Sequence, residues 1–204
     1  TVVFKQWADN DELEACILQT LSEELGLKDV GDQDGFDRSL GGNVTERGTY
    51  FNVGCAKSAD KWQILAPVRN MPYGVTNINH LMHRQFREDK MALAKRKTQR
   101  KIPSPMGPEN IIYGDKVINI INGKRNAYPA FGAINYVANG EIGIAGGSFG
   151  KQTKYLNVEF SSQQGFTYSY SGVDFGEETD AKLELAYALT VHKTQGSEFG
   201  KTFV

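Results

Sequence analysis

The sequence predicts an α/β chain in which both ends build one parallel-sheet domain around an inserted module of short strands. An amphipathic helix pattern occupies residues 9–26, the run WQILA at 62–66 is apolar throughout, and from Ile111 the hydrophobic period changes from helical to two. A strand apolar on both faces belongs in a parallel sheet covered by helices. Short alternating strands at close spacing belong in a small barrel of about five strands.

Taken in order, Val2–Phe4 is a short β-type run. Asp9 is placed to cap a helix, with Glu12 at capping-box spacing. Leu13, Cys16, Ile17, Leu21 and Leu25 recur at helical spacing and Gly26 supplies the stop. Residues 28–60 hold six glycines and little periodicity, and read as loop with a weak strand near 49–53. The buried strand at 62–66, with Trp62 in the core, closes at Pro67. Thr76 can then cap a helix through Ile78, Leu81, Met82 and Phe86. It leads into residues 84–101, which carry eight Lys/Arg against two acidic residues. Pro103, Pro105 and Pro108 punctuate the chain before the β-rich part. There, Asn139-Gly140 between apolar runs is a type I′ hairpin signal. YLNVEF and FTYSYS alternate as strands, and residues 183–191 form a last, mostly apolar strand before a loop opening at His192. The boundaries are 1–102 for the first part of the α/β domain, 103–181 for the inserted barrel and 182–204 for the return.

Composition narrows the function. The 204 residues carry 23 basic and 24 acidic side chains, a net charge of −1, so affinity for nucleic acid must come from local clusters. At 40% hydrophobic residues and a mean hydropathy of −0.43, the chain can bury a core. No run approaches the roughly 18 apolar residues of a membrane span, and the N-terminus lacks signal-peptide order. Cys16 and Cys55 make neither a disulfide framework nor a zinc site and suit a reducing cytoplasm. The chain begins at Thr1 rather than Met and stops within the apolar run TFV, which reads as a piece excised from a longer protein.

A phosphate-binding loop of the form G-x-x-x-x-G-K-[ST] is nearly matched twice and met neither time. In GGSFGKQT, Ala145 stands where the first glycine belongs and Gln152 follows Lys151. In GSEFGKT, the Gly196–Gly200 spacing is one residue short. The informative segments are LAPVRNMPYGVTNINHL at 65–81 and ALTVHKTQGSEFGKTFV at 188–204. In the first, a buried strand ends and projects Arg69 from its carboxyl edge, where ligands of open α/β sheets bind and where a guanidinium suits phosphate oxygens. Alone, such an arginine is usually an ordinary surface residue. In the second, a strand runs into a turn of small polar residues rich in backbone N–H groups, suited to phosphate contacts.

The string TVHKTQGSEF closely resembles motif V of superfamily 1 helicases, in particular the RecD/TraI-like branch with its UvrD-like C-terminal domain. LAPVR…GVTNIN resembles motif IV of the same group, with Ile78 where leucine is usual. GDKVINIINGKRNAYPAF and the NGEIGIAGG segment resemble the SH3-like barrel inserted in the second RecA-like domain of these proteins. The resemblance covers about 62–204. It implies a P-loop-NTPase-type second motor domain without a P-loop of its own, interrupted by an SH3-like β-barrel. The parent would be an ATP-driven DNA helicase stepping along single-stranded DNA, with RNA left open and 5′→3′ polarity by analogy. ATP and Mg²⁺ would sit mainly on an upstream RecA-like domain, so the fragment alone is expected to be inactive. Arg69 matches the motif IV arginine that reaches the γ-phosphate and would serve as an arginine finger. Glu198 matches the glutamate near the nucleotide ribose, with Gly196 beside it. Thr190 and His192 match contacts to the DNA backbone, with Lys193 and Gln195 as their neighbours.

Other readings stand beside this one. A non-catalytic nucleic-acid-binding module could use the barrel and the basic segment 84–101, with binding that weakens steeply in salt. The barrel could instead dock a partner peptide. Tyr168 and Tyr170, two apart on one strand face, suit base stacking or ordinary packing. His80 and His83 lack a Cys or carboxylate partner in the sequence that would make a metal site, so none is expected.

Overall fold

Asp9 opens the first helix as its spacing predicts. Its carboxylate accepts the Glu12 N–H at 2.9 Å, and the Glu12 carboxylate reaches back to the Ala8 N–H at 2.8 Å. Helix α1 spans Asn10–Leu25 and ends at Gly26, whose φ of 67° is the left-handed cap that glycine adopts at least cost. The computed structural model describes residues 2–96, 102–147, 154–176 and 181–204. Val2–Phe4 form no strand and lie exposed. Residues 28–60 hold more structure than their glycines suggest: helix α2 (Gln33–Ser39), a hairpin of β1 (Asn43–Thr45) and β2 (Gly48–Tyr50), and a 3-10 turn at Cys55–Ser58. Asp32 caps α2 by accepting the Gly35 N–H. Too short for periodicity to reveal, α2 is fixed by tertiary contact. Its Phe36 is fully buried and stacks on Phe86 at 4.1 Å between centroids.

Strand β3 (Trp62–Ala66) is buried as expected and lies at the centre of a three-stranded parallel sheet. Helix α3 (Val75–Phe86) follows, with Ile78, Leu81, Met82 and Phe86 buried on its core face. Its N-cap is Gly74 rather than Thr76, and carbonyls of the preceding turn take its first N–H groups: Val75 donates to Val68 and Thr76 to Arg69, both at 3.1 Å. Helix α4 (Glu88–Ala94) comes next.

The β-rich part comprises β4 (Lys116–Asn119), β5 (Gly123–Lys124), β6 (Ala127–Tyr128), β7 (Tyr136–Val137), β8 (Ile142–Ala145), β9 (Leu156–Phe160), β10 (Thr167–Tyr170) and β11 (Leu183–Leu185). Six of these form one antiparallel sheet in the order β11-β4-β8-β9-β10-β6, while β5 pairs with β7 separately. The expected barrel is therefore not closed among the described residues: β11 and β6 stand at opposite edges. The molecule is mixed α/β, as predicted at that coarser level. Asn139-Gly140 makes a turn, with Gly140 at φ 94°, but not the predicted hairpin, because β7 and β8 belong to different sheets. Tyr168 and Tyr170 are fully buried and hydrogen bond to the Ile134 carbonyl (2.7 Å) and the Asn119 side chain (3.1 Å), so they are packing residues rather than a stacking face.

The strand predicted over 183–191 is two strands. Residues Leu183–Leu185 pair antiparallel with β4, whereas β12 (Ala188–Thr190) pairs parallel with β3. Ala186 still donates to the Lys116 carbonyl, but the Tyr187 carbonyl already accepts from Ile64. The chain thus changes sheets between two fully buried residues. Strand β13 (Lys201–Phe203), in the run that looked like an unfinished strand, completes the order β12-β3-β13. In the second near-match to a phosphate loop, the Lys201 ammonium bonds the Glu24 carboxylate at 2.9 Å. The first near-match lies largely outside the described residues.

Both parts meet at Arg87, which is fully buried. Its guanidinium pairs with Asp37 of α2 and with Asp115 (3.1 Å), and donates to the Gly114 carbonyl (2.8 Å) and the Tyr187 hydroxyl (2.9 Å). Asp115 also meets His83 and the Ile112 N–H at 2.8 Å and accepts the Tyr187 hydroxyl at 2.7 Å. Burial opposes the Asp115 charge, but His83 and Arg87 outweigh it and hold the carboxyl below its ordinary value. His83 is thus engaged by a carboxylate of this network, and no group of three or more potential metal ligands occurs among the described residues. Arg87→Met would leave two buried carboxylates short of a partner, and is expected to cost about 3–5 kcal/mol, read as a lowered urea midpoint.

Lys116 is the second fully buried cation. Its ammonium donates to the Trp62 carbonyl at 2.5 Å and lies 4.9 Å from the Trp62 ring centroid. Burial pushes it down to about 7, with Asp60 acting in the opposite sense. Between that value and 10.5 the unfolded chain holds more protons, so stability rises with pH across this window, and the full cost falls below about 7. Lys116→Met is expected to flatten that rise and to raise the melting temperature at pH 6, measured by thermal unfolding across a pH series.

Candidate functional site

Strands β3 and β12 run parallel and in register, with Ala66 opposite Thr190. Three residues beyond each carboxyl end stand Arg69 and Lys193. The turn that presents Arg69 is held closed by Gly74, whose N–H bonds the Met71 carbonyl at 2.7 Å. A side chain at Gly74 would meet the Arg69 carbonyl at 2.6 Å, closer than a Cβ can approach, so glycine is required there. On the other strand, Thr190 leads into a 3-10 turn, Val191–Thr194, and then a reversal in which Ser197 donates to the Thr194 carbonyl at 3.0 Å. Gln195 (φ −59°, ψ 124°) and Gly196 (φ 85°) have type II turn geometry, which favours glycine at the second central position.

A single carboxylate joins the two loops. Glu184 of β11 accepts from Arg69 at 2.6 Å through one oxygen and from Lys193 at 2.8 Å through the other. Burial raises the Glu184 carboxyl, but these two cations outweigh it and hold it below the ordinary glutamate value. The Arg69 side chain as a whole remains 47% exposed.

Beyond Lys193 a groove of about 630 Å³ opens between the 192–198 loop and the antiparallel sheet. His192, Lys193, Gln195, Gly196 and Glu198 line one wall, and Asn139–Ile142 with Ser161 and Ser162 line the other. Asp60 and Glu141 add acidic groups, so the groove is mixed in charge. Glu141 is itself saturated by donors: the Ala138 N–H at 2.8 Å, the Ser162 hydroxyl at 2.5 Å and the Gln163 amide at 2.9 Å.

Five of the seven residues singled out in the sequence line this groove, all of them from the single loop 192–198. Thr190 and Arg69 are not among the residues lining the groove; Thr190 ends its strand and Arg69 sits on the Glu184 side. Arg69 and Glu198, which the resemblance places on one nucleotide, make no contact with each other. Within the basic segment, Arg84 pairs with Glu14, Arg87 is core and Lys90 pairs with Asp37, while Lys95 and Arg96 lie exposed. Residues 97–101 lie outside the described residues. Sequence reasoning missed Glu184, because the alternation in Leu-Glu-Leu marks it only as the polar side of a strand.

Among the described residues, no helix is long and apolar enough to cross a membrane. Comparison with protein-family models and with curated proteins gives no match to this chain.

Glu184→Gln is expected to free both cations at little cost, about 1 kcal/mol or less for such partly exposed pairs. The check is Lys193 reactivity: reductive methylation of that amine should quicken in the variant while the urea midpoint changes little.

Proposed function

We propose that the chain is the second motor domain of an ATP-dependent DNA helicase or translocase, contributing an arginine finger and part of the single-strand track. The reading rests on the likeness of two short segments to helicase motifs IV and V. The observation that carries it is the placement of those segments on adjacent in-register parallel strands, at their carboxyl ends, with Glu184 bridging Arg69 and Lys193. Segments far apart in sequence converge where an open α/β sheet binds its ligand.

In this reading Glu184 is the resting partner of Arg69. When an upstream RecA-like domain brings ATP and Mg²⁺ to the sheet edge, the γ-phosphate replaces the carboxylate, oxygen for oxygen, and the guanidinium stabilises charge on the transferring phosphoryl group. The likeness to motif V assigns Glu198 and Gly196 to the nucleotide, although in this chain they line the groove rather than the Arg69 side of the sheet edge. Thr190, His192, Lys193 and Gln195 meet the strand's phosphodiesters, with backbone N–H groups of the turn adding donors. The groove carries acidic groups, so this track grips through directed hydrogen bonds rather than through a field of positive charge.

The test uses a longer chain that includes the upstream nucleotide-binding domain. Arg69→Ala there should lower single-strand-stimulated ATP turnover by about 10³-fold or more while nucleotide binding survives. Undiminished turnover would remove the assignment of Arg69.

A further inference from the structure

The antiparallel sheet carries an arm whose side chains the fold leaves uncovered. Residues 123–137 leave and re-enter through the β5–β7 pair, and Tyr128, Phe131, Ile134 and Tyr136 lie exposed, Phe131 at 97% and Tyr128 at 77%. The backbone beneath them is held. Ile134 and Tyr136 carbonyls accept from the Tyr168 hydroxyl at 2.7 Å and the Gln163 amide at 3.1 Å, and Arg125 donates to the Asn135 carbonyl at 3.2 Å. An anchored loop that displays large apolar rings to water marks a contact surface rather than a packing failure.

Two observations select the occupant. The first is charge. Residues 120–140 contain no Asp or Glu in a chain of net charge −1; of their two cations, Arg125 is paired with Asp174 at 2.7 Å and Lys124 lies exposed, and asparagines stand at 122, 126, 135 and 139. Lys124 is directly opposite Tyr136 across the β5–β7 pair, so a cation and a ring share one face. The second is continuity. Gln163 bonds both the Tyr136 carbonyl and Glu141, and Glu141 lines the groove beside the 192–198 loop. The arm therefore begins where that groove ends.

We propose that this arm is a base-stacking platform for single-stranded nucleic acid leaving the groove. Bases stack on Phe131, Tyr128 and Tyr136, and Lys124 meets the backbone. Rings that take any base give contact without sequence preference. The inference builds on the track assigned to the 192–198 loop, and adds a second contact of different chemistry.

The test irradiates the full chain with an oligo(dT) strand carrying 5-iodouracil and maps the adducts by mass spectrometry, with an abasic strand of equal length as competitor. Adducts on Tyr128, Phe131 or Tyr136 are expected. They should fall about tenfold in the Tyr128→Ala/Phe131→Ala variant, survive in Phe131→Trp, and resist the abasic competitor. Both substituted side chains are exposed, so the variant's unchanged melting temperature serves as the folding control. Adducts confined to residues 190–198 would overturn the platform and leave the track standing. Adducts on the arm alone would keep the platform and overturn the track. No adduct at millimolar strand would overturn both. Concentration-dependent self-association lost in the double variant, without adducts, would overturn the platform and reassign the arm to protein docking.

Discussion

A guanidinium removed from water must find its charge and hydrogen bonds inside the protein, and Arg87 organises this chain around that requirement. It reaches carboxylates from two different regions, Asp37 on α2 and Asp115 at the entry to β4, and the hydroxyl of Tyr187 between β11 and β12. Phe36 adds a ring 5.0 Å from the guanidinium carbon. Losing one partner leaves charge uncompensated in a dry site, where it costs far more than at the surface. The glycine-rich region, the helix pair and both sheets are thereby specified together. None of them can be repacked without reopening the Arg87 site.

The same joining of sheets shapes the candidate site. Arg69 and Lys193 extend from the parallel sheet, but the carboxylate that holds them belongs to the antiparallel one. The groove follows the same pattern, with one wall from each sheet. The antiparallel strands are thus more than an appendage: with their turns they supply half of the groove and the bridging charge. Gly74 and Gly196 fix the two loops by backbone shape, one through a close approach to the Arg69 carbonyl and the other through its positive φ.

Much of this was legible in local pattern. The Asp9 cap, the Gly26 stop, the buried run at 62–66 and the apolar face of α3 each announce themselves through spacing. The polar turn after residue 190 was legible because so many small polar residues follow an apolar strand. What escaped was whatever long-range contact decides. The helix around Phe36 exists because Phe86 covers it. The run 183–191 looks uniform because both sheets bury it, so nothing in its pattern marks the change of partner. Arg87 sits in a basic run and looks solvated, whereas its neighbours Arg84 and Lys90 do remain at least partly accessible. Tyr168 and Tyr170 share a face, as alternation dictates, but alternation does not say which face is covered.

The change of partner at Ala186 and Tyr187 also has a mechanical meaning. One residue donates to β4 and the next accepts from β3, with both fully enclosed and Tyr187 tied to Arg87 and Asp115. There is no spare length of chain between the sheets to take up strain. A load on the strand that carries Glu184 arrives at β12, and so at the loop beyond it, within two residues. At that joint the backbone behaves as a stiff coupling that passes a displacement on and has no slack in which to absorb it.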